Sequence, residues 1–257
     1  MRVLVGEDWF DRASRRRSSG VVALIVAMLA SMMVVIAPPA RAAEIDWEGT
    51  ELLGKATDHS ITINVVPGED VAIRYIYGTS ASNLKQSTGG FVDVDADEVY
   101  EITIDCLTAN TQYFYRMEYR EPDDLGNVIQ RPIYDFRTGR SSGESFTFTL
   151  IADSHLGSTG GSADRYRDAT FNVADDEPDL HFDLGDTFMV DIDASPNQAA
   201  VDQLYLTQRD YFGNFAHSTP VYLAMGNHED EEGWNLDDCA GASCFSTGHA
   251  NIEGRKL

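Results

Sequence analysis

From residue 45 to 138 the chain runs in short apolar alternations, each broken by Gly, Pro, Asp or Asn. Ser60-Ile61-Thr62-Ile63-Asn64-Val65 is the cleanest case. Every second side chain is apolar, the spacing that lines one face of a strand. The pattern predicts strands over 51–56, 60–66, 71–78, 99–104, 112–119 and 133–137, with Asp123-Asp124-Leu125-Gly126-Asn127 as a hairpin tip. Strands at this spacing, with no helical stretch between them, imply an all-β sandwich. A Gly/Ser-containing linker over 139–144 ends that pattern. Beyond it, 146–152 reads as a continuous apolar strand, 164–174 as a helix, 180–184 as a strand, 198–215 as a helix and 221–225 as a third strand. A β-α-β-α-β order implies a sheet layered with helices, so the second part is α/β.

The first 42 residues follow neither pattern. Arg15, Arg16 and Arg17 form a basic cluster, residues 21–37 are apolar and uncharged, and Pro38-Pro39-Ala40-Arg41-Ala42 follows. Ala40 and Ala42 give the small-x-small site of a secretory signal, cleaved after Ala42. The competing reading is an uncleaved anchor, since the apolar run is near the lower length limit for a span. Ser14-Arg15-Arg16 leaves the twin-arginine route open beside the general one. Cleavage predicts an exported protein, periplasmic or extracellular, with no stable membrane span. Export permits disulfides. Cys239 and Cys244, close together in a Gly/Ala/Ser-rich stretch, are expected to pair, and Cys106, ending a strand pattern, to be a buried thiol.

Charge narrows the partners. The chain carries a formal net charge of −23 at pH 7, and its leader holds six Arg against three acids, so the remainder is more acidic still. Such a surface repels nucleic acid and anionic membrane. It also repels phosphate esters, unless bound cations create a local positive site.

The predicted α/β strands supply residues that could hold such cations. The first ends in Asp153-Ser154-His155, the second in Gly185-Asp186 and the third in Gly226-Asn227-His228-Glu229. In layered α/β sheets, ligands collect at the carboxyl ends of strands. Carboxylate, imidazole and amide oxygen together suit hard or borderline divalent and trivalent ions. Asp-x-His or Gly-Asp alone is usually a loop or a turn. All three in this order, each after a buried-strand pattern, make a metal site.

From Ser145 onward the chain resembles the calcineurin-like metallophosphoesterase superfamily. The preceding domain, whose Leu107…Thr111-Gln112-Tyr113 segment resembles the tyrosine corner of fibronectin type III domains, gives a layout similar to purple acid phosphatases. The resemblance implies a signal peptide over 1–42, a fibronectin III-like sandwich over 43–139 and the amino-terminal half of a metallophosphoesterase domain over 145–257. It implies that Asp153 and His155 bind a first metal, that Asp186 bridges two metals and that Asn227 binds the second. The ions would be iron, manganese or zinc. His228 would face the phosphoryl group of a small phosphate ester and assist its leaving oxygen.

Two departures qualify this. Purple enzymes carry a Tyr three residues after the bridging Asp, where this chain has Met189, so no tyrosinate would colour the metal. The chain also ends at Leu257, before any strand that could carry the family's later lone His and Gly-His-x-His. Gly248-His249-Ala250-Asn251 imitates that motif but sits too close to Asn227. The expectation is a phosphate-ester hydrolase, monoesterase or diesterase, incomplete and inactive as this chain stands. The alternative is a non-catalytic exported β-sandwich protein with a vestigial metal domain.

Overall fold

The computed structural model describes residues 45–156, 161–189 and 198–229, all within one compact unit, Ala42–Leu257. The leader, Cys239, Cys244 and His249 lie outside the described residues. No helix among the described residues is long and apolar enough to cross a membrane.

The first nine strands form two antiparallel sheets. One has the order β1-β2-β6, from Leu52–Gly54, Ile61–Val65 and Tyr100–Ile104. The other centres on β3 (Val71–Gly78) and β7 (Gln112–Arg120), paired from Ala72↔Arg120 to Gly78↔Phe114. Short strands flank this pair: β4 (Gln86–Ser87) and β5 (Val92–Val94) on β3, β8 (Ile129–Gln130) and β9 (Tyr134–Arg137) on β7. Both sheets feed one core. Leu53, Ile61, Ile63, Val65 and Ile104 come from the first, and Val71, Ile73, Tyr75, Tyr115, Met117 and Phe136 from the second. The period-two pattern thus marks the inward faces. Tyr113 closes a corner of this core, its hydroxyl accepting the Thr108 amide at 3.0 Å. Cys106 departs from expectation. It is exposed, because the chain turns outward after Ile104 with Cys106 at φ 56°, and Leu107 is the residue that tucks inward.

The second part forms a parallel sheet, β10-β11-β12, from Phe148–Ile151, Leu180–Asp183 and Val221–Leu223. Two helices link the strands. Helix α1 (Ala163–Asp176) starts at Ser162, whose hydroxyl accepts the Arg165 amide, and ends at a left-handed Glu177. It buries Tyr166, Thr170 and Val173, one face at helical spacing. Helix α2 (Gln198–Phe212) buries Val201, Tyr205, Gln208, Arg209 and Phe212. One face of the sheet takes helical cover: His181 lies 4.9 Å from the Phe215 ring, and Ile151 packs against Val173 and Phe212. The opposite face carries an aromatic row, Phe146, Phe148, Phe182 and Tyr222, with neighbouring centroids 5.6–6.2 Å apart. Phe148 and Leu150 on it are 49% and 55% exposed, so β10 is not buried on both sides among the described residues, as its continuous apolar run had implied.

Arg209 joins the two parts. Only 2% exposed, it projects from α2 into the first sheets. Its Nε donates to the Glu48 carbonyl at 2.7 Å, Nη1 to Asn64 Oδ1 at 2.6 Å, and Nη2 to the Asn64 and Thr50 carbonyls at 3.1 and 3.3 Å. Burial lowers this guanidinium to about 10, with Tyr75, Glu51, Asp210 and Glu48 opposing, so it stays charged at neutral pH. Gly49, at φ +79°, lies under its stem, where a Cβ would meet Arg209 Cγ at 3.2 Å.

Two predictions follow from these contacts. Arg209→Met leaves four oxygens, buried or partly buried, without this donor, so it should cost about 3 kcal/mol in urea unfolding and separate the two parts into distinct transitions. An unchanged single transition would contradict the joint. His181, fully buried with Nδ1 bonded to Thr149 Oγ1 at 2.8 Å, is held by burial at about 4. Below about 6.5 the unfolded chain takes up a proton that the folded ring refuses. Stability from this ring is therefore present above about pH 6.5 and lost as pH falls toward 4, by about 3 kcal/mol at most. His181→Leu should flatten that part of the pH–stability curve, and parallel curves for both proteins would refute it.

Candidate metal centre

The carboxyl ends of β10 and β11 run on together past their last paired residues. The amides of Asp153, His155 and Leu156 donate to the carbonyls of Gly185, Asp186 and Thr187 at 3.1, 3.0 and 2.6 Å, and Leu156 bridges Phe188. This ladder sets His155 beside Asp186. Asp153, His155 and Asp186 adopt φ values of 56°, 44° and 51°. Left-handed backbone is costly for residues with a Cβ and concentrates where surrounding structure over-determines it, often at functional sites.

The third loop is drawn against the second by glycine. A Cβ on Gly226 would strike the Asp186 carboxylate and come within 2.6 Å of its backbone nitrogen. A Cβ on Gly185, at φ +89°, would strike the Gly226 nitrogen and lie 2.7 Å from the Met225 carbonyl carbon. Only bare backbones fit here. The chain then enters a 3-10 turn, Asn227–Glu229, and the His228 amide donates to Asp186 Oδ1 at 2.8 Å.

These approaches gather His155, Asp186 and His228, whose ligand atoms all lie within 4.8 Å of one another. The two imidazoles stand edge to face, 5.3 Å between centroids. Asp186 is buried, and the two His are half-buried. His155 and Asp186 at this spacing fit one borderline cation such as iron, manganese or zinc, and His228 is close enough to serve as a third ligand or as a proton donor beside it. Of the other residues singled out from sequence, Asp153 is exposed at the end of β10 and outside this group, while Asn227 is exposed at the start of the 3-10 turn.

Behind the group lies a network that sequence reading passed over. Asp183, 1% exposed, accepts from the Gly185 amide and Thr187 Oγ1 with one oxygen, at 3.1 and 3.0 Å. Its other oxygen accepts from the Tyr166 hydroxyl at 3.2 Å and Gln208 Nε2 at 3.3 Å. Burial, with Asp183 beside it, holds the Tyr166 hydroxyl well above the ordinary phenol range, so it stays a donor. Gln208 also reaches Thr187 Oγ1 at 3.0 Å. The available signal was an acid inside an apolar strand, Phe182-Asp183-Leu184, opposite polar residues at buried helical spacing.

Neither a protein-family model nor a curated protein sequence matches the chain. Solved structures do. A purple acid phosphatase isolated from yellow lupin (Lupinus luteus) seeds matches with 16% identity and a TM-score of 0.55, covering 80% of this chain and 39% of that one. PhoD matches with 16% identity and a TM-score of 0.53, covering 81% of this chain and 43% of that one. The likeness is one of fold, and this chain spans about two fifths of the length of each.

The loop geometry makes Gly226 a sensitive position. Gly226→Ala should displace Asp186 and cost roughly 1–3 kcal/mol through overpacking, lowering both thermal stability and metal uptake. Wild-type uptake and melting temperature would mean the two loops are free to part.

Proposed function

We propose that this chain belongs to an exported, metal-dependent hydrolase of small phosphate esters, and that its site is the cluster at the carboxyl ends of β10, β11 and β12. The observation that carries this reading is the convergence of His155, Asp186 and His228 within 4.8 Å. Its place on the sheet and the fold likeness to phosphatase structures support it. On this reading residues 43–139 form the fibronectin III-like sandwich and 145–257 the amino-terminal half of the catalytic domain, with two metal ions in the complete site. The shared core of the two antiparallel sheets and the Tyr113 corner support the first assignment.

Asp186 would be the central ligand, shared between the ions, with His155 beside it; Asp153 and Asn227, exposed on the flanking loops, would complete the set as the resemblance implies. Bound ions supply Lewis acidity toward a phosphate oxygen and activate water as nucleophile. The chain's own residues do the remainder. Asp186 brings its negative charge to a site where the backbone already fixes its direction. His228, beside Asp186 and His155, would meet the phosphoryl group and give a proton to the departing oxygen. The acidic surface disfavours a long-range approach of anionic substrate, so affinity is confined to the metal centre.

The test is Mn²⁺ uptake by the purified chain, followed in the complete enzyme by hydrolysis of aryl monoesters and diesters. Asp186→Asn should lose metal and activity together. His228→Ala should retain metal but slow turnover by roughly 10² to 10⁴. Wild-type metal content in Asp186→Asn would sink the assignment, and metal loss in His228→Ala would make His228 a ligand.

A further inference from the structure

Glu229 has no exposed surface. Its position beside the candidate ligands would suit a further ligand, or the carboxylate that orients the His228 ring. The geometry points elsewhere. Oε2 accepts the backbone amides of Gly226 and Asp186 at 2.7 and 2.8 Å, and Oε1 accepts the amide of Thr187 at 3.0 Å. Both oxygens are thus turned toward main chain.

Those amides belong to two different loops. Asp186 and Thr187 follow β11, whereas Gly226 and Glu229 itself follow β12. The tie is reciprocal, because the His228 amide donates back to Asp186 Oδ1. One carboxylate therefore satisfies amides at both loop ends and holds Asp186 against the turn that carries His228. We propose that Glu229 is a positioning residue for the metal centre: a buried latch that sets Asp186 and His228 in register before any ion arrives. The inference rests on the metal reading above and deepens it. Orienting partners of this kind typically change metal affinity by 10- to 100-fold when removed.

Glu229→Gln keeps the volume but turns an NH₂ group toward at least one amide that needs an acceptor. Two measurements on the purified chain decide the matter: calorimetric titration with Mn²⁺, and hydrogen exchange of the amides of Asp186, Thr187 and Gly226. The control is Tyr113→Phe, which weakens the remote sheets by deleting the hydroxyl bonded to Thr108. The wild type should show the three amides protected and bind Mn²⁺. Glu229→Gln should release the amides and weaken Mn²⁺ by about 10- to 100-fold, while its circular dichroism stays native. Tyr113→Phe should change neither. Equal Mn²⁺ affinity in wild type and Glu229→Gln, or an equal loss in Tyr113→Phe, overturns the positioning role. If the wild type takes up no Mn²⁺, the metal reading fails by itself, and exchange then decides the latch. Amides protected in wild type and released in the variant sustain it. Free exchange in the wild type overturns it, whether or not Glu229→Gln folds.

Discussion

Main-chain groups answer two of the buried charges on which this structure depends, Arg209 and Glu229. Arg209 gives three of its hydrogen bonds to backbone carbonyls, and Glu229 takes three from backbone amides. A charge moved out of water costs several kcal/mol unless it is fully hydrogen-bonded. Backbone partners meet that need only if the segments supplying them hold one geometry. Each buried charge thereby fixes a loop. Arg209 fixes the segment from Glu48 to Thr50 against β2, and Glu229 fixes the loops after β11 and β12. A salt bridge between two flexible side chains would leave the backbone freer than this does.

The two anchors communicate through adjacent residues of α2. Arg209 points into the first sheets, while Gln208, the preceding residue, points the other way to Asp183 and Thr187. Thr187 in turn gives its amide to Glu229. A path of direct hydrogen bonds and one residue step along α2 thus runs from the antiparallel sheets to the loop bearing Asp186. This gives the first part of the chain a physical connection to the candidate site, beyond acting as a neighbouring module. It also fits the finding that the described residues fall in one compact unit instead of two.

Much of this was legible in the sequence, for identifiable reasons. The long strands β2, β3 and β7 and both helices fall within a few residues of their predicted spans, because their periodicity persists long enough to separate 2.0 from 3.6. Strands β4, β5 and β8 have two or three residues each and show no period, so nothing local could signal them. The outward face of β10 was misread because an apolar run is the same whether one side or both are covered. Around the site, the glycines were informative, since Gly185 and Gly226 sit where two backbones approach too closely for a Cβ. The roles of Asp183, Arg209 and Glu229 were hidden. A charged residue in sequence reads as solvent-facing or as a ligand. Only the fold reveals that Arg209 is held by backbone carbonyls far along the chain, Glu229 by amides of two loops and Asp183 mainly by side chains of helix and loop.

That distinction bears on how the centre is organised. Two carboxylates, Asp186 and Glu229, lie close together, and like charges this close would ordinarily repel. They divide the available donors instead. Glu229 takes amides with both oxygens, whereas Asp186 has one oxygen directed by the His228 amide. The backbone dipoles around Glu229 offset its charge, which on the proposed reading leaves Asp186 as the carboxylate that would meet a cation beside the two imidazoles. Left-handed backbone at Asp153, His155 and Asp186 is a conformational cost met before any ligand is present. Amide ladders and the Glu229 latch offset that cost within the folded chain. The arrangement is pre-organised: little binding energy would be diverted to assembling the loops, and more would remain for holding an ion on the proposed reading.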